Sequence, residues 1–480
     1  TDGPVYIFGI DRERTTIIGT GSNDFIKLDS ADSIQITDIG FKDIAQIIDL
    51  GGLAADEKSS RCVIKNCLFN NVDQLIGDNA TKPSNAGITF GEISNCHISG
   101  TGTSAVIDII QEIQEFHFIN NIIESQYSTL NYILNFGRDN NSIAEESHWT
   151  NIHVTGNIIR SCTVAGSIGQ GISCYGKRCN ISSNTFDGIS GASTSNSAIL
   201  AYMRDSSISN NRINLSGSDD IAIWVAGERR GQTGGVNSYQ TTISGNQIFL
   251  SGGIALDSNG DEIVFSGNSI SGCGIGVQLN EPLSRDHIIS NNMFLPHTAD
   301  DPKGISITTS CSNVVISGNV FSAYGSNTFT DCMSFVFSSS AVEAESWSIT
   351  GNIMKGFTAN GILIDTGTAA SDINQLSIMN NIINSTESGS IGIKYQGTDP
   401  ITDHDTWGNS ILTESHNFSF TTRPQIGTLM QYLDDLGHAT GSWTARNAAL
   451  AVMHRTDFDG VQLYLKRDED RTDQGWEGQA

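Results

Sequence analysis

Charge is scarce in this chain of 480 residues, where 16% are Asp, Glu, Lys or Arg against about 25% in an average globular protein. The polar surface must therefore come from Ser, Thr, Asn, Gln and Gly. Most of the charge has one sign: 26 Lys and Arg face 52 Asp and Glu, for a net −26. A field of that sign repels polyanions, so nucleic acid is not expected as a partner. Proline is rarer still, at 7 residues, which excludes a Pro-rich linker protein. Cysteine is sparse, odd in number at 9 and scattered beside Ile, Val and Asn, which reads as small buried apolar side chains and not as a disulfide framework. Cys174 and Cys179 lack the second pair that a zinc site needs, and no His falls in a ligand spacing. No cofactor and no metal are expected, Ca²⁺ on surface acids being the alternative left open. Long apolar runs are missing as well: no stretch approaches the ~20 residues of a membrane span, so membrane insertion is not expected. Thr1 begins without a signal-like segment, inside a patterned region, which leads us to expect that an N-terminal part has been removed.

What is abundant is glycine, 50 residues, with an apolar fraction of 38% arranged in a pattern that excludes a disordered chain. One phrase recurs: apolar, two residues, Asn, any, apolar. It reads Val63-Ile-Lys-Asn66-Cys-Leu68, Phe118-Ile-Asn-Asn121-Ile-Ile123, Val154-Thr-Gly-Asn157-Ile-Ile159 and Ile181-Ser-Ser-Asn184-Thr-Phe186. Asn211, Asn246, Asn268, Asn292, Asn319, Asn352 and Asn381 continue the slot, and Cys96 fills it once. Successive slots lie 22 to 36 residues apart, too variable for helical hairpins and too short for propeller blades. The apolar period is two, so the units are short strands. A second phrase, Gly-Ile-x-apolar, precedes the slot at Gly171, Gly253, Gly274, Gly304 and Gly361. Three strands per turn of a coil fit this arrangement. The slot Asn is expected at a sharp bend, where it tolerates φ > 0, with its amide bonded to the next coil ~4.8 Å away. These features predict an all-β, single-stranded right-handed parallel β-helix of about 12 or 13 coils over residues 1–422.

The paired phrases, as in Ile243-Ser-Gly-Asn246-Gln-Ile and Ile316-Ser-Gly-Asn319-Val-Phe, resemble the pectate-lyase-like superfamily of right-handed β-helices over residues 5 to 420. In character the repeat is similar to secreted polysaccharide-degrading enzymes and to the depolymerase shafts of bacteriophage tailspikes. That resemblance implies a polysaccharide substrate and, for the tailspike version, a homotrimer on a virion tail or otherwise outside the cell. Residues 423–480 lack the slot, and Arg423-Pro424 marks the boundary. A coil stack needs its open end covered, so this segment is expected to cap the helix or to form a trimer.

Uniform coils place function where a coil lengthens or where outward side chains stack. The interval from Asn121 to Asn157 holds Tyr132, Arg138, Asp139, Glu145, Glu146 and His148; that from Asn211 to Asn246 holds Asp219, Asp220, Trp224 and Glu228-Arg229-Arg230. Further on come His297, Asp300, Asp301 and Lys303, then Tyr324 and Asp331. Aligning the Gly-Ile phrases puts Tyr175, Tyr202, Ala226, Asp257, Gln278, Thr308 and Asp365 in one outward column. Two residues further on come Lys177, Arg204, Glu228, Asn259, Asn280 and Ser310, which places Glu228 and Asp257 on adjacent coils with Asp261 just beyond. Their expected separation, roughly 6 to 9 Å, leaves room for a water, the inverting geometry of glycoside hydrolysis. Clustering raises the pKa of one acid and so supplies the proton donor. Glu228, Asp257 and Asp261 are the catalytic candidates, and tailspike hydrolases are similar in using a Glu and two Asp on neighbouring coils. Trp224, Tyr202 and Tyr175 offer faces for sugar rings, while Arg204 and Arg229 could hold an acidic sugar. A polysaccharide lyase using Lys177, Arg178, Tyr202 and Arg204 is the alternative, and a non-catalytic glycan-binding shaft is the third reading.

Overall fold

The computed structural model describes residues 4–420 apart from 22–23, 28–32, 51–57, 78–86, 101–103, 129, 138–148, 165–168, 192–195, 228–237, 281–283, 298–300, 310, 338–342, 368–371, 397–400 and 414–415, and beyond 420 two strands. Every regular element among these residues is a β-strand. Most strands form three parallel stacks, in which each strand pairs with the equivalent strand one coil on, and two short three-stranded parallel sheets accompany them. The first sheet runs from Val5–Phe8 through Tyr239–Ser244 and Asp261–Ser266 to Ile401–Trp407. The second runs from Thr16–Ile18 to Ser410–Thr413, and the third from Asp24–Lys27 through Ile254–Ser258 and Ile275–Leu279 to His416–Phe420. The chain is the expected parallel β-helix, a solenoid of about a dozen turns counted on the asparagine slot.

Period-two alternation decides which side chains enter the interior. Ile243, Phe265, Ile289 and Ile316 stack inward on the first sheet, Ile248, Ile270, Phe294 and Phe321 on the second, and Ile223, Leu256, Val277 and Ile305 on the third, all fully or almost fully buried. Each such side chain contributes about 1.5–3 kcal/mol of burial. All nine cysteines are buried and free, as their apolar neighbours implied.

The corner between the first and second sheets is built alike in nearly every coil. Slot side chains form a continuous ladder from Asn121 to Asn409. Asn246, for example, donates from its backbone N–H and its Nδ2 to Asn268 Oδ1, both at 2.9 Å, and from Nδ2 to Ile208 O at 3.1 Å. Its own Oδ1 accepts from Asn211 N and Nδ2 at 2.9 and 3.0 Å. The slot is thus a buried hydrogen-bonding post, and the expected left-handed bend falls one residue earlier. Asn120, Gly156, Ser183, Asn210, Gly245, Gly267, Asn291, Gly318, Gly351, Asn380 and Gly408 have φ between 55° and 71°, a conformation that Gly and Asn adopt at least cost. This corrects the first repeat also: Asn66 is the left-handed residue (φ 53°), so Cys67 occupies the slot there as Cys96 does in the next coil. Their thiols lie where the amides do, Cys96 Sγ reaching Ile64 O at 3.9 Å and Cys67 Sγ reaching Ile36 O at 4.0 Å.

The Gly-Ile phrase has a separate cause. Ile172, Ile199, Ile223, Leu256, Val277, Ile305, Met333, Ile362 and Ile393 share one column of the third sheet. The residue before each is small because the backbone of the next coil approaches it there. A Cβ on Gly276 would sit 2.4 Å from Gly304 O. Gly253-Ile and Gly274-Ile begin two residues earlier in their coils than Gly171-Ile does, so the two sets of phrases are not equivalent positions.

The chain divides into two compact units, residues 1–426 and 427–480. Within the second, Gln462–Lys466 and Gly475–Gln479 pair antiparallel; the rest of the segment expected to cap or trimerise lies outside the described residues.

Candidate functional site

The outward face of the third sheet gathers most of the side chains singled out from sequence. Leu200, Trp224, Asp257, Gln278, Ser306 and Ser334 stack in one column, one per coil. Tyr175 and Tyr202 belong to the neighbouring column, two residues further along, but Tyr175 is buried in the core there and does not present the outward face expected of it. The single outward column expected from the Gly-Ile phrases is therefore two columns. Asp257 stands beside Trp224 and not beside Ala226, because of the two-residue offset just described.

Asp257 is the most perturbed carboxyl of this face. Partial burial pushes its pKa up to about 6, against the opposing effect of a hydrogen bond from Asn280. Asn280 Nδ2 donates to Asp257 Oδ1 at 2.7 Å, and Gln278 Nε2 donates to Asn280 Oδ1 at 2.9 Å. These bonds fix the orientation of both amides. Such a carboxyl holds its proton in mildly acidic solution and can give it up, as a general acid must.

Asp261 follows across the Asn259-Gly260 corner, at the start of the first sheet, and its side chain is almost fully buried. It accepts a hydrogen bond from Arg285 N at 2.6 Å and has the Arg285 guanidinium at 3.9 Å. Burial raises its pKa more than these neighbours lower it. Glu228, Arg229 and Arg230 lie outside the described residues, as do Arg138, Asp139, Glu145, Glu146, His148 and Asp300.

Trp224 is partly buried in the column, and its Nε1 is buried without a hydrogen-bond partner among the described residues. Tyr175 and Tyr202 stack face to face, ring centroids 4.3 Å apart at 7°, and Tyr175 also meets Trp149 at 6.3 Å. Arg204 lies over the Tyr239 ring at 5.2 Å, and Lys177 Nζ pairs with Asp205 at 3.4 Å. Arg178 is the left-handed residue at the next corner, with φ 58°. Asp220 is buried as an internal cap, accepting from Asn196 N and Nδ2 and from Gly217 N, whereas Asp219 is exposed in the adjoining turn. Asp331, on the same face three coils beyond Asp257, is buried, accepts from Asn360 Nδ2 at 2.7 Å and has its pKa raised by burial. Tyr132 donates to Asp108, Lys303 pairs with Asp301 at 3.1 Å, and Tyr324 is exposed. Sequence reasoning placed Gln278, Asn280 and Asn259 in outward columns but gave them no role. Their spacing from the Gly-Ile phrases was the available signal, blurred by the phrase occurring at two offsets.

The family model for the periplasmic copper-binding protein NosD matches residues 228–331, which include Asp257, Asp261 and Gln278. No curated protein matches. Among solved structures, the chain is similar to the tailspike protein of E. coli bacteriophage HK620 in complex with a pentasaccharide, at 10% identity and a TM-score of 0.39, covering 83% of this chain and 72% of that one. An aspartate-to-alanine mutant of the same tailspike matches at 10% identity and a TM-score of 0.38, covering 74% of this chain. The chain spans 60% of the length of that mutant.

Proposed function

We propose that the protein is a carbohydrate-active β-helix that binds an extended glycan along the outer face of its third sheet and cleaves it by general acid–base hydrolysis, outside the cell or on a virion tail. The observation that carries this reading is Asp257, a carboxyl held protonated up to about pH 6 in the same column as the Trp224 ring. A protonated carboxyl releases the leaving oxygen, while an aromatic face takes up the apolar face of a sugar. Asp257 is the acid of this scheme, and Glu228 is the base that activates water, since Asp261 is too deeply buried to reach it. Incubation with a panel of bacterial and algal polysaccharides, read as new reducing ends, tests it. Asp257→Asn should lower turnover by about 10²-fold or more, with glycan still bound. Full activity in that variant would exclude Asp257 as the acid.

A lyase reading is supported by Lys177 and Arg204, paired across adjacent coils beside the Tyr175 and Tyr202 stack. It predicts an ultraviolet-absorbing unsaturated product in place of a simple reducing end. Assembly as a homotrimer, with residues 423–480 as cap or oligomerisation segment, belongs to the same proposal. Met293, Val320, Ile353 and Ile382 form an outward apolar column on the second sheet, a surface suited to a second copy of a chain with net charge −26. Sedimentation at the mass of a single chain would refute the trimer.

A further inference from the structure

We infer that the groups around Asp257 form a subsite for a neutral, hydroxyl-rich sugar and not for a uronate; this rests on the reading of the third sheet as a glycan-binding face. Three polar atoms here are buried and lack hydrogen-bond partners among the described residues: Trp224 Nε1, Asn259 Oδ1 and Gln278 Oε1. Trp224, Asp257 and Gln278 occupy one column on three successive coils, about 5 Å apart, and Asn259 lies in the adjoining column on the coil of Asp257. Leaving such atoms unpaired costs about 1–3 kcal/mol each, so a ligand that pairs them gains what the free protein forgoes.

The identity of these atoms selects the ligand. The orientation of Gln278 is not interchangeable, because its Nε2 is committed to Asn280 Oδ1 at 2.9 Å and Asn280 Nδ2 in turn to Asp257 at 2.7 Å. Gln278 therefore presents an acceptor, Trp224 presents one donor, and Asn259 presents an amide. A sugar hydroxyl donates and accepts, so the hydroxyls of a glycan can satisfy all three. A carboxylate accepts only: it can meet Trp224 Nε1, but it sets oxygen against oxygen at Gln278. Above pH 6 it also faces the ionised Asp257. The same geometry makes Asn280 a positioning residue, since its amide ties the carboxyl to the acceptor of the subsite.

The test is binding by the full chain, followed by calorimetry at pH 7.5, of neutral hexasaccharides (gluco-, manno-, galacto- and xylo-oligosaccharides) and of galacturonate and alginate hexasaccharides. At least one neutral series should bind about 10-fold or more tightly than either uronate series. Gln278→Leu and Trp224→Phe, which keep volume or ring but remove the acceptor or the donor, should each weaken the neutral ligand by about 5- to 10-fold, one hydrogen bond's worth, with an unchanged circular dichroism spectrum. Uronates binding as tightly as neutral sugars would overturn the subsite while leaving the glycan-binding reading intact. Unchanged affinity in both variants would do the same, identifying the three atoms as partners of ordered water. If no glycan of either kind binds, the functional reading itself fails and the subsite with it.

Discussion

Replacing Asp257 by Asn gives a prediction that does not depend on knowing the substrate. The folded protein keeps the Asp257 proton up to about pH 6, against 3.8 for the free side chain. Between these values the folded state binds more protons than the unfolded chain, so stability falls as pH rises through the window and stays lower above it. A shift of about 2 units at about 1.4 kcal/mol each gives a penalty of about 3 kcal/mol for the ionised carboxyl. The neutral amide of the variant escapes this penalty and still meets Asn280. Asp257→Asn should therefore stabilise the protein at pH 8 by up to about 3 kcal/mol and leave it nearly unchanged at pH 4. For a chain of this length that corresponds to a Tm rise of about 3 °C. Thermal melts of both proteins at pH 4, 6 and 8, by circular dichroism, provide the measurement. A Tm difference that is constant with pH, or a variant less stable at pH 8 than at pH 4 relative to the parent, would refute the assignment of a desolvated carboxyl. The gain in stability should accompany the loss of turnover, since the same desolvation that costs stability prepares the acid.

Removing one amide from the ladder tests the corner. Asn246→Ala leaves Asn211 N without the acceptor it has at 2.9 Å and opens a cavity, so denaturant unfolding should show a loss of about 3 kcal/mol or more. Cys96→Asn should extend the ladder by one rung and raise stability by about 1 kcal/mol in the same assay; a decrease would mean that the thiol is there for its volume. His287 is almost fully buried on the first sheet, beside Val314, with neither ring nitrogen partnered among the described residues, and burial pushes its pKa down to about 4 against the nearby Asp286. Its neutral form thus contributes stability above pH 6.5 that is lost as pH falls toward 4, by up to about 3 kcal/mol. His287→Leu should flatten that acid limb in melts at pH 7 and pH 4.5, and an unchanged acid limb would show that other groups set it.

The fold was legible in sequence because a solenoid repeats its constraints. Each coil must bury apolar side chains at period two and must turn the same corner, so the same phrase returned about a dozen times. The reason given for the slot was misplaced by one residue, since both the buried post and the left-handed bend favour Asn. Asn120-Asn121 and Asn210-Asn211 show both roles side by side. Where another residue precedes Asn, as at Gly245-Asn246 and Ser183-Asn184, sequence separates the two. The candidate site was legible to within one column. Trp224 and Asp257 were both named, but a small residue before an apolar one can arise at more than one point of a coil, and that ambiguity moved Asp257 beside the wrong neighbour. The amides of Gln278 and Asn280 carried no recognisable phrase, because what distinguishes the pair is the hydrogen bond of Asn280 to Asp257, more than twenty positions away.

The ladder corner also governs how this architecture can change over evolutionary time. Its two residues per coil are invariant in length, while the distance between successive slots varies from 22 to 36 residues. The length variation is thus taken up elsewhere in the coil. An inserted segment there bulges sideways and leaves the pitch set by the amides untouched, so the coils above and below keep their register. Loops can therefore be lengthened, shortened or exchanged as separate parts, with the asparagine post acting as the fixed spindle on which they are threaded.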